Sequence, residues 1–183
     1  MKLIILDRDG VINEDSDQYI KSIDEWMPIP GSLEAIARLN QADYRVVVAT
    51  NQSGVARGLF GFDTLNRMHT KMLKMLADVG GEIDGIFFCP HTPEENCECR
   101  KPKAGLLLDI AKRFDVDLTG VPVIGDSLRD LEAARLVNAA PILVRTGKGE
   151  RTLAKGEGLD GVPVYDDLAG AVDAILKSEM QNE

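Results

Sequence analysis

Short apolar runs alternate along this chain with stretches whose apolar residues recur at helical spacing, and that alternation constrains the fold most. The runs fall at residues 3–6, 46–49, 86–88, 121–124, 142–144 and 162–165. They are short and lack a polar face, as expected of strands covered on both sides of a parallel sheet. Between them stand Leu33/Ile36/Ala37, Leu65/Met68/Met72/Leu76, Leu107/Ile110/Ala111/Phe114 and Leu131/Ala134/Leu136. Residues at that spacing share one helix face and read as core rather than as a cofactor box. Strands and helices in this order predict an α/β fold, a Rossmann-like doubly wound parallel sheet. With 183 residues, 44% of them hydrophobic, one sizeable core can be buried, and residues 1–183 are expected to form a single domain. Residues 146–161, rich in glycine and charge, are expected to be mobile, and the tail 177–183 to fray.

Charge narrows the partners. Lys and Arg number 21 against 30 Asp and Glu, a formal net charge of -9. Such a surface disfavours nucleic acid, and a small anionic substrate would need a local positive site. The run 3–6 is too short for a signal segment or a membrane span. A soluble cytoplasmic protein with no membrane partner is expected, a monomer by default.

The first run leads directly into Asp7-Arg8-Asp9-Gly10, so two carboxylates leave the carboxyl end of a strand, where open α/β sheets bind ligands. Acids this close repel, and a divalent cation would relieve them; magnesium takes carboxylate, water and phosphate oxygens. One carboxylate could then attack phosphorus while the other moves a proton. A solvated strand-to-loop cap explains the pair alone equally well.

Three further stations change that balance. The second run ends in Thr50-Asn51-Gln52-Ser53-Gly54, whose Thr50 hydroxyl and following N–H groups could hold phosphate oxygens, although alone it also reads as an ordinary turn. Arg100-Lys101-Pro102 supplies fixed positive charge or, alone, a solvated basic turn; Lys101 could steady a transferring phosphoryl group and Arg100 grip a second anion bidentately. Finally Gly125-Asp126-Ser127-Leu128-Arg129-Asp130 ends another strand with an acid suited to the magnesium site. Asp130, with Ser127, would order that loop from behind or cap a helix beginning near Leu128.

Asp7-Arg8-Asp9-Gly10, Thr50-Asn51, Lys101 and Gly125-Asp126-x-x-x-Asp130 together resemble the haloacid dehalogenase-like phosphatase superfamily. The resemblance implies Asp7 as nucleophile, Asp9 as general acid/base, Thr50 and Lys101 on the phosphoryl group, and magnesium held by Asp7, the backbone carbonyl of Asp9, and Asp126.

Cys89-Pro90-His91 and Cys97-Glu98-Cys99 place three thiols and an imidazole within residues 89–99. A closed Cys3His set suits tetrahedral structural zinc, and a reduced compartment disfavours a disulfide. Cys89 as a buried strand end and His91 as a surface residue are the competing readings. Zinc here would hold the loop that delivers Arg100 and Lys101. His69, in the Met-rich helix, is expected to be a helix-face residue without chemistry.

The interval from Asp9 to Thr50 is too short for a sizeable cap, and the interval from Thr50 to Lys101 is filled by a helix, a strand and the cysteine loop. A capless domain selects substrate with loops. The motif set is similar to the branch of the superfamily that holds sugar-bisphosphate and histidinol-phosphate phosphatases. It implies that Asp15, Ser16, Tyr19, Asn51, Gln52 and Ser53 line the sugar and that Arg100 reads a distal phosphate. Arg100 favours a small sugar bisphosphate over histidinol phosphate, and the resemblance implies a role in lipopolysaccharide-core or related glycan precursor supply. A catalytically silent sugar-phosphate or zinc-binding module is the rival of another class, against which Asp9 argues.

Overall fold

The computed structural model describes residues 1–182. Six strands form one parallel sheet: β1 Lys2–Leu6, β2 Tyr44–Asn51, β3 Gly85–Cys89, β4 Pro122–Gly125, β5 Ala140–Val144 and β6 Val164–Tyr165. Their spatial order is β3-β2-β1-β4-β5-β6, so the winding reverses between β1 and β4. A crevice opens at such a reversal, outside the carboxyl ends of the two strands. Asp7 and Asp126 leave β1 and β4 on either side of it, joined by Asp7 N–H donating to Ile124 C=O at 2.9 Å.

The helices are α1 Ser32–Gln41, α2 Phe62–Asp78, α3 Gly105–Phe114, α4 Leu128–Leu136, α5 Gly149–Lys155 and α6 Leu168–Met180. Alternate strand residues divide the core in two. Ile4, Leu6, Val46 and Val48 pack with α1, α2 and α6; Leu3, Ile5 and Val47 pack with α3 and α4. Burying each such side chain fully contributes about 1.5–3 kcal/mol, which explains why the apolar runs are continuous rather than alternating. Of the helical stripes, Leu136 alone is largely exposed, because two residues beyond Ala134 it falls on another face of α4 while Ala133 and Ala134 stay buried.

Two expectations fail. Residues 146–161 contain α5, and hydrogen bonds bind that segment to the sheet: Thr146 Oγ1 donates to Gly10 C=O at 2.6 Å and Thr152 Oγ1 to Asp126 C=O at 2.8 Å. The tail is helical to Met180, held where Tyr44 OH donates to Glu179 at 2.7 Å and Lys2 Nζ pairs with the same carboxylate at 3.1 Å. Glu183, the last residue of that predicted tail, lies outside the described residues. Among the described residues no additional domain stands over the carboxyl edge of the sheet, and no helix is long and apolar enough to cross a membrane.

Candidate active site

The carboxyl ends of β1, β2 and β4 enclose a cleft of about 240 Å³. At its floor Lys101 is almost wholly buried. Its Nζ donates to Ala49 C=O at 2.8 Å and to Asp130 Oδ1 at 2.6 Å, and stands 3.1 Å from Asp7 Oδ1. A buried ammonium with three oxygen partners is fixed in place. Burial opposes its charge, but Asp130 and Asp7 together raise its pKa, so it stays protonated. Asp7 Oδ1 also accepts from Arg8 N–H at 2.8 Å, which leaves Oδ2 without a hydrogen-bond partner among the described residues.

Asp126 sits beside Asp7. Its Oδ2 accepts from Lys148 N–H at 2.8 Å, and its carboxylate lies against Gly10 and Gly147, both at positive φ (85° and 58°), where any Cβ would collide with it. Burial first, then the charges of Asp130 and Lys101 in opposition, take the Asp7 carboxyl up to about 7. Burial and the Asp7 charge push Asp126 well above the usual carboxylate range. Asp7, Asp126 and Asp130 offer oxygens within 4.8 Å of one another. Asp130 is committed elsewhere: its Oδ2 accepts from the N–H of Asp126 and of Ser127, both at 3.2 Å, and from Ser127 Oγ at 3.0 Å, closing a capping box on α4. Asp7 and Asp126 are therefore the acids available to a cation, and a close all-oxygen pair of acids raised chiefly by burial fits magnesium.

Asp9 lines the same cleft, with its carboxylate held by side chains. Its Oδ1 accepts from Arg8 Nε at 2.9 Å and Asn13 Nδ2 at 2.8 Å, and its Oδ2 from Gln52 Nε2 at 3.1 Å. Burial would raise its pKa, but the Arg8 charge and these hydrogen bonds hold it below the usual value. With the carboxylate so engaged, the backbone carbonyl is the atom left for a metal. Thr50, buried at the end of β2, accepts from Gln52 Nε2 at 3.0 Å and faces the cleft.

Several predicted sugar contacts have other work. Asn51 spends its amide on the backbone of Lys101, receiving from Lys101 N–H at 3.0 Å and donating to Lys101 C=O at 3.1 Å, so it positions that lysine. Gln52 ties Thr50 to Asp9. Ser53 Oγ accepts from Arg57 Nε at 3.3 Å. Asp15 pairs with Lys148, and Tyr19 lies under the Arg57 guanidinium, 5.6 Å from ring centroid to Cζ. Asp15, Ser16, Tyr19, Asn51, Gln52, Ser53 and Arg100 all line the cleft, with Arg100 Nη1 donating to His91 C=O at 3.3 Å.

The cysteine loop converges as its spacing predicts. Cys89 Sγ lies 3.5 Å from Cys97 Sγ and 3.5 Å from His91 Nδ1, which is 3.3 Å from Cys99 Sγ. Zinc–sulfur bonds of about 2.3 Å imply tetrahedral S–S edges of roughly 3.8 Å, so this donor set fits zinc. Burial opposes ionisation of Cys97, yet the Arg100 N–H and the neighbouring thiols bring its pKa down to about 6. One thiolate is thus ready for a metal at neutral pH.

Residues not singled out from the sequence complete the site. Arg8 is wholly buried and His69 nearly so, 3.1 Å apart, so His69 lies on the buried face of α2 against Arg8. Arg129 borders the cleft beside Arg100, in no ion pair among the described residues. Lys148 and Thr152 hold the Asp126 loop, and Thr146 holds the loop after β1 through Gly10. Gly147, in the segment expected to be mobile, was the available signal for that close approach.

Two family models match the chain: one described as polynucleotide kinase 3 phosphatase over residues 2–127, the other as HAD-hydrolase-like over residues 98–171. The chain belongs to the haloacid dehalogenase-like hydrolases, among their phosphatases. Its relatives include the D-glycero-beta-D-manno-heptose-1,7-bisphosphate 7-phosphatase of Bordetella bronchiseptica, 59% identical over 97% of this chain and 99% of that protein. The protein of the same name from Pseudomonas aeruginosa is 54% identical over 96% of this chain and 98% of its own length. Among solved structures, D,D-heptose 1,7-bisphosphate phosphatase from B. bronchiseptica, complexed with magnesium and phosphate, superposes with a TM-score of 0.95 at 59% identity, covering 97% of this chain and 99% of that one.

Proposed function

We propose that this protein removes the C7 phosphate of D-glycero-D-manno-heptose 1,7-bisphosphate through a phosphorylated Asp7. The observation that carries the reading is Asp7 itself: one oxygen is tied to Lys101 and the Arg8 N–H, and the other is free at the cleft floor beside Asp126. The free oxygen attacks phosphorus as the bond from phosphorus to the sugar O7 breaks, and Asp9 gives that oxygen its proton. A water molecule then attacks the phosphorus of the aspartyl phosphate, Asp9 takes a proton from it, and inorganic phosphate leaves with Asp7 restored. Lys101 and the Thr50 hydroxyl hold the oxygens on which charge builds. Magnesium, when held by Asp7, Asp126 and the Asp9 carbonyl, neutralises part of that charge.

Zinc in the Cys89/His91/Cys97/Cys99 cluster is structural in this reading, since all four positions are protein ligands. It keeps Arg100 facing the distal phosphate. The chain acts as a single-domain monomer in the cytoplasm, in glycan precursor supply.

The test is phosphate release from both anomers of the heptose bisphosphate and from histidinol phosphate, with and without magnesium. Magnesium-dependent release from the bisphosphate is expected, with Asp7→Asn inactive. Equal turnover of histidinol phosphate, or an active Asp7→Asn variant, would overturn the reading.

A further inference from the structure

Arg8 carries a permanent charge in a position with no exposure to water, and its guanidinium has two neighbours. Its Nε donates to Asp9 Oδ1 at 2.9 Å with Nη2 2.8 Å from the same oxygen, while Nη1 lies 3.1 Å from Nε2 of His69 on α2. An arginine can only donate hydrogen bonds, so the His69 Nε2 must accept, with its proton on Nδ1. Burial, then the Arg8 charge, take His69 down to about 4, which agrees with a neutral ring at neutral pH.

The consequence reaches Asp9. Its Oδ1 is filled by Arg8 and by Asn13 Nδ2 at 2.8 Å, whereas Oδ2 has a single donor, Gln52 Nε2 at 3.1 Å. The two oxygens are therefore unequal, and Oδ2 is the one with capacity to give and take a proton. Which oxygen is filled depends on where the guanidinium stands, and His69 is the acceptor that sets its far end. We infer that His69 is a positioning residue: through Arg8 it fixes the Asp9 carboxylate so that Oδ2 alone carries the proton transfers. The inference rests on the acid/base role proposed for Asp9.

Three variants and one spectrum test it. His69→Leu keeps the approximate size and removes the acceptor; His69→Gln restores an acceptor on a side chain of similar reach. At saturating magnesium, His69→Leu is expected to lose about tenfold or more in kcat with KM unchanged, the scale of a misplaced catalytic group, and His69→Gln to stay within about threefold of the parent. Equal losses in the two variants, or none in either, would overturn the inference. His69 is one of only two histidines, so the tautomer is readable in the parent enzyme by nitrogen NMR even if His69→Leu fails to fold. An unprotonated Nε2 with a proton on Nδ1 supports it, and a protonated Nε2 overturns it. Asp9→Asn separates the two readings: if it is as active as the parent the acid/base assignment falls, whereas an inactive Asp9→Asn beside an unimpaired His69→Leu defeats only the role of His69.

Discussion

The floor and the rim of the cleft are built in opposite ways. At the floor Lys101, Asp130 and Asp126 are buried, and Asp7 and Asp9, half-buried, are also held by more than one partner; Lys101 alone touches Ala49, Asp7 and Asp130. At the rim Tyr19 is held by one stacking arginine, Arg100 by one carbonyl, and Arg129 by no ion pair among the described residues. Interlocked buried charges hold a reacting group to a fraction of an ångström, which chemistry demands. Loosely held cations keep capacity for a ligand, which recognition demands. Floor substitutions should therefore strike kcat, and stability as well wherever they strand a buried charge, and rim substitutions KM alone.

The sharpest break of that contrast is Asp7→Asn, expected to lower kcat by on the order of 10⁴-fold or more, as removing a covalent nucleophile does, with unfolding free energy unchanged or raised. Stability should not fall because a carboxyl raised to about 7 burdens the fold when ionised. Next, Lys101→Met should reduce kcat by roughly 10²–10³-fold and cost about 3–5 kcal/mol in urea unfolding, because it strands Asp130 among buried groups. Adding Asp130→Leu to it should recover part of that stability and none of the activity. At the rim, Arg100→Ala and Arg129→Ala should each raise KM for the bisphosphate by about tenfold, with kcat and turnover of a monophosphate little changed. A fall in kcat equal to that of a floor variant would erase the distinction.

The smallest effect concerns pH. The raised carboxyls of Asp7 and Asp126 must lose their protons to hold magnesium. Without the ion they cost stability as pH rises from the unfolded value of about 4 toward 7, and the ion relieves that cost. The gain in Tm on adding magnesium should thus grow from pH 5.5 to pH 8 and be accompanied by proton release in calorimetry. A gain independent of pH would show that neither acid is a ligand.

The same contrast explains what was legible in the sequence. Strands buried on both faces must be apolar throughout, so the inner strands β1, β2, β4 and β5 stood out, and acids directly after β1 and β4, Asp7 and Asp126, had to lie at the ligand edge. Loop residues were placed in the cleft for the same reason. Partners were not legible. Nothing local says that Arg8 is buried, because the His69 that meets it is on α2, across the core. Likewise α5 is short and charged, and it is held by Thr146 bonding to Gly10 and by Lys148 and Thr152 bonding to Asp126 rather than by its own periodicity. The small residues of α6, Ala169, Gly170 and Ala171, hid its face, although Asp167 accepting from Gly170 N–H at 2.8 Å is an N-cap the sequence carries.

The most direct measurement is a rapid acid quench of the magnesium enzyme during turnover of the bisphosphate, followed by hydroxylamine and peptide mass spectrometry. A phosphorylated aspartate becomes a hydroxamate, and the expected result is that modification at Asp7, absent when substrate is omitted. Phosphate release without any modified residue, or with the modification on another acid, would contradict the assignment of Asp7 as the nucleophile.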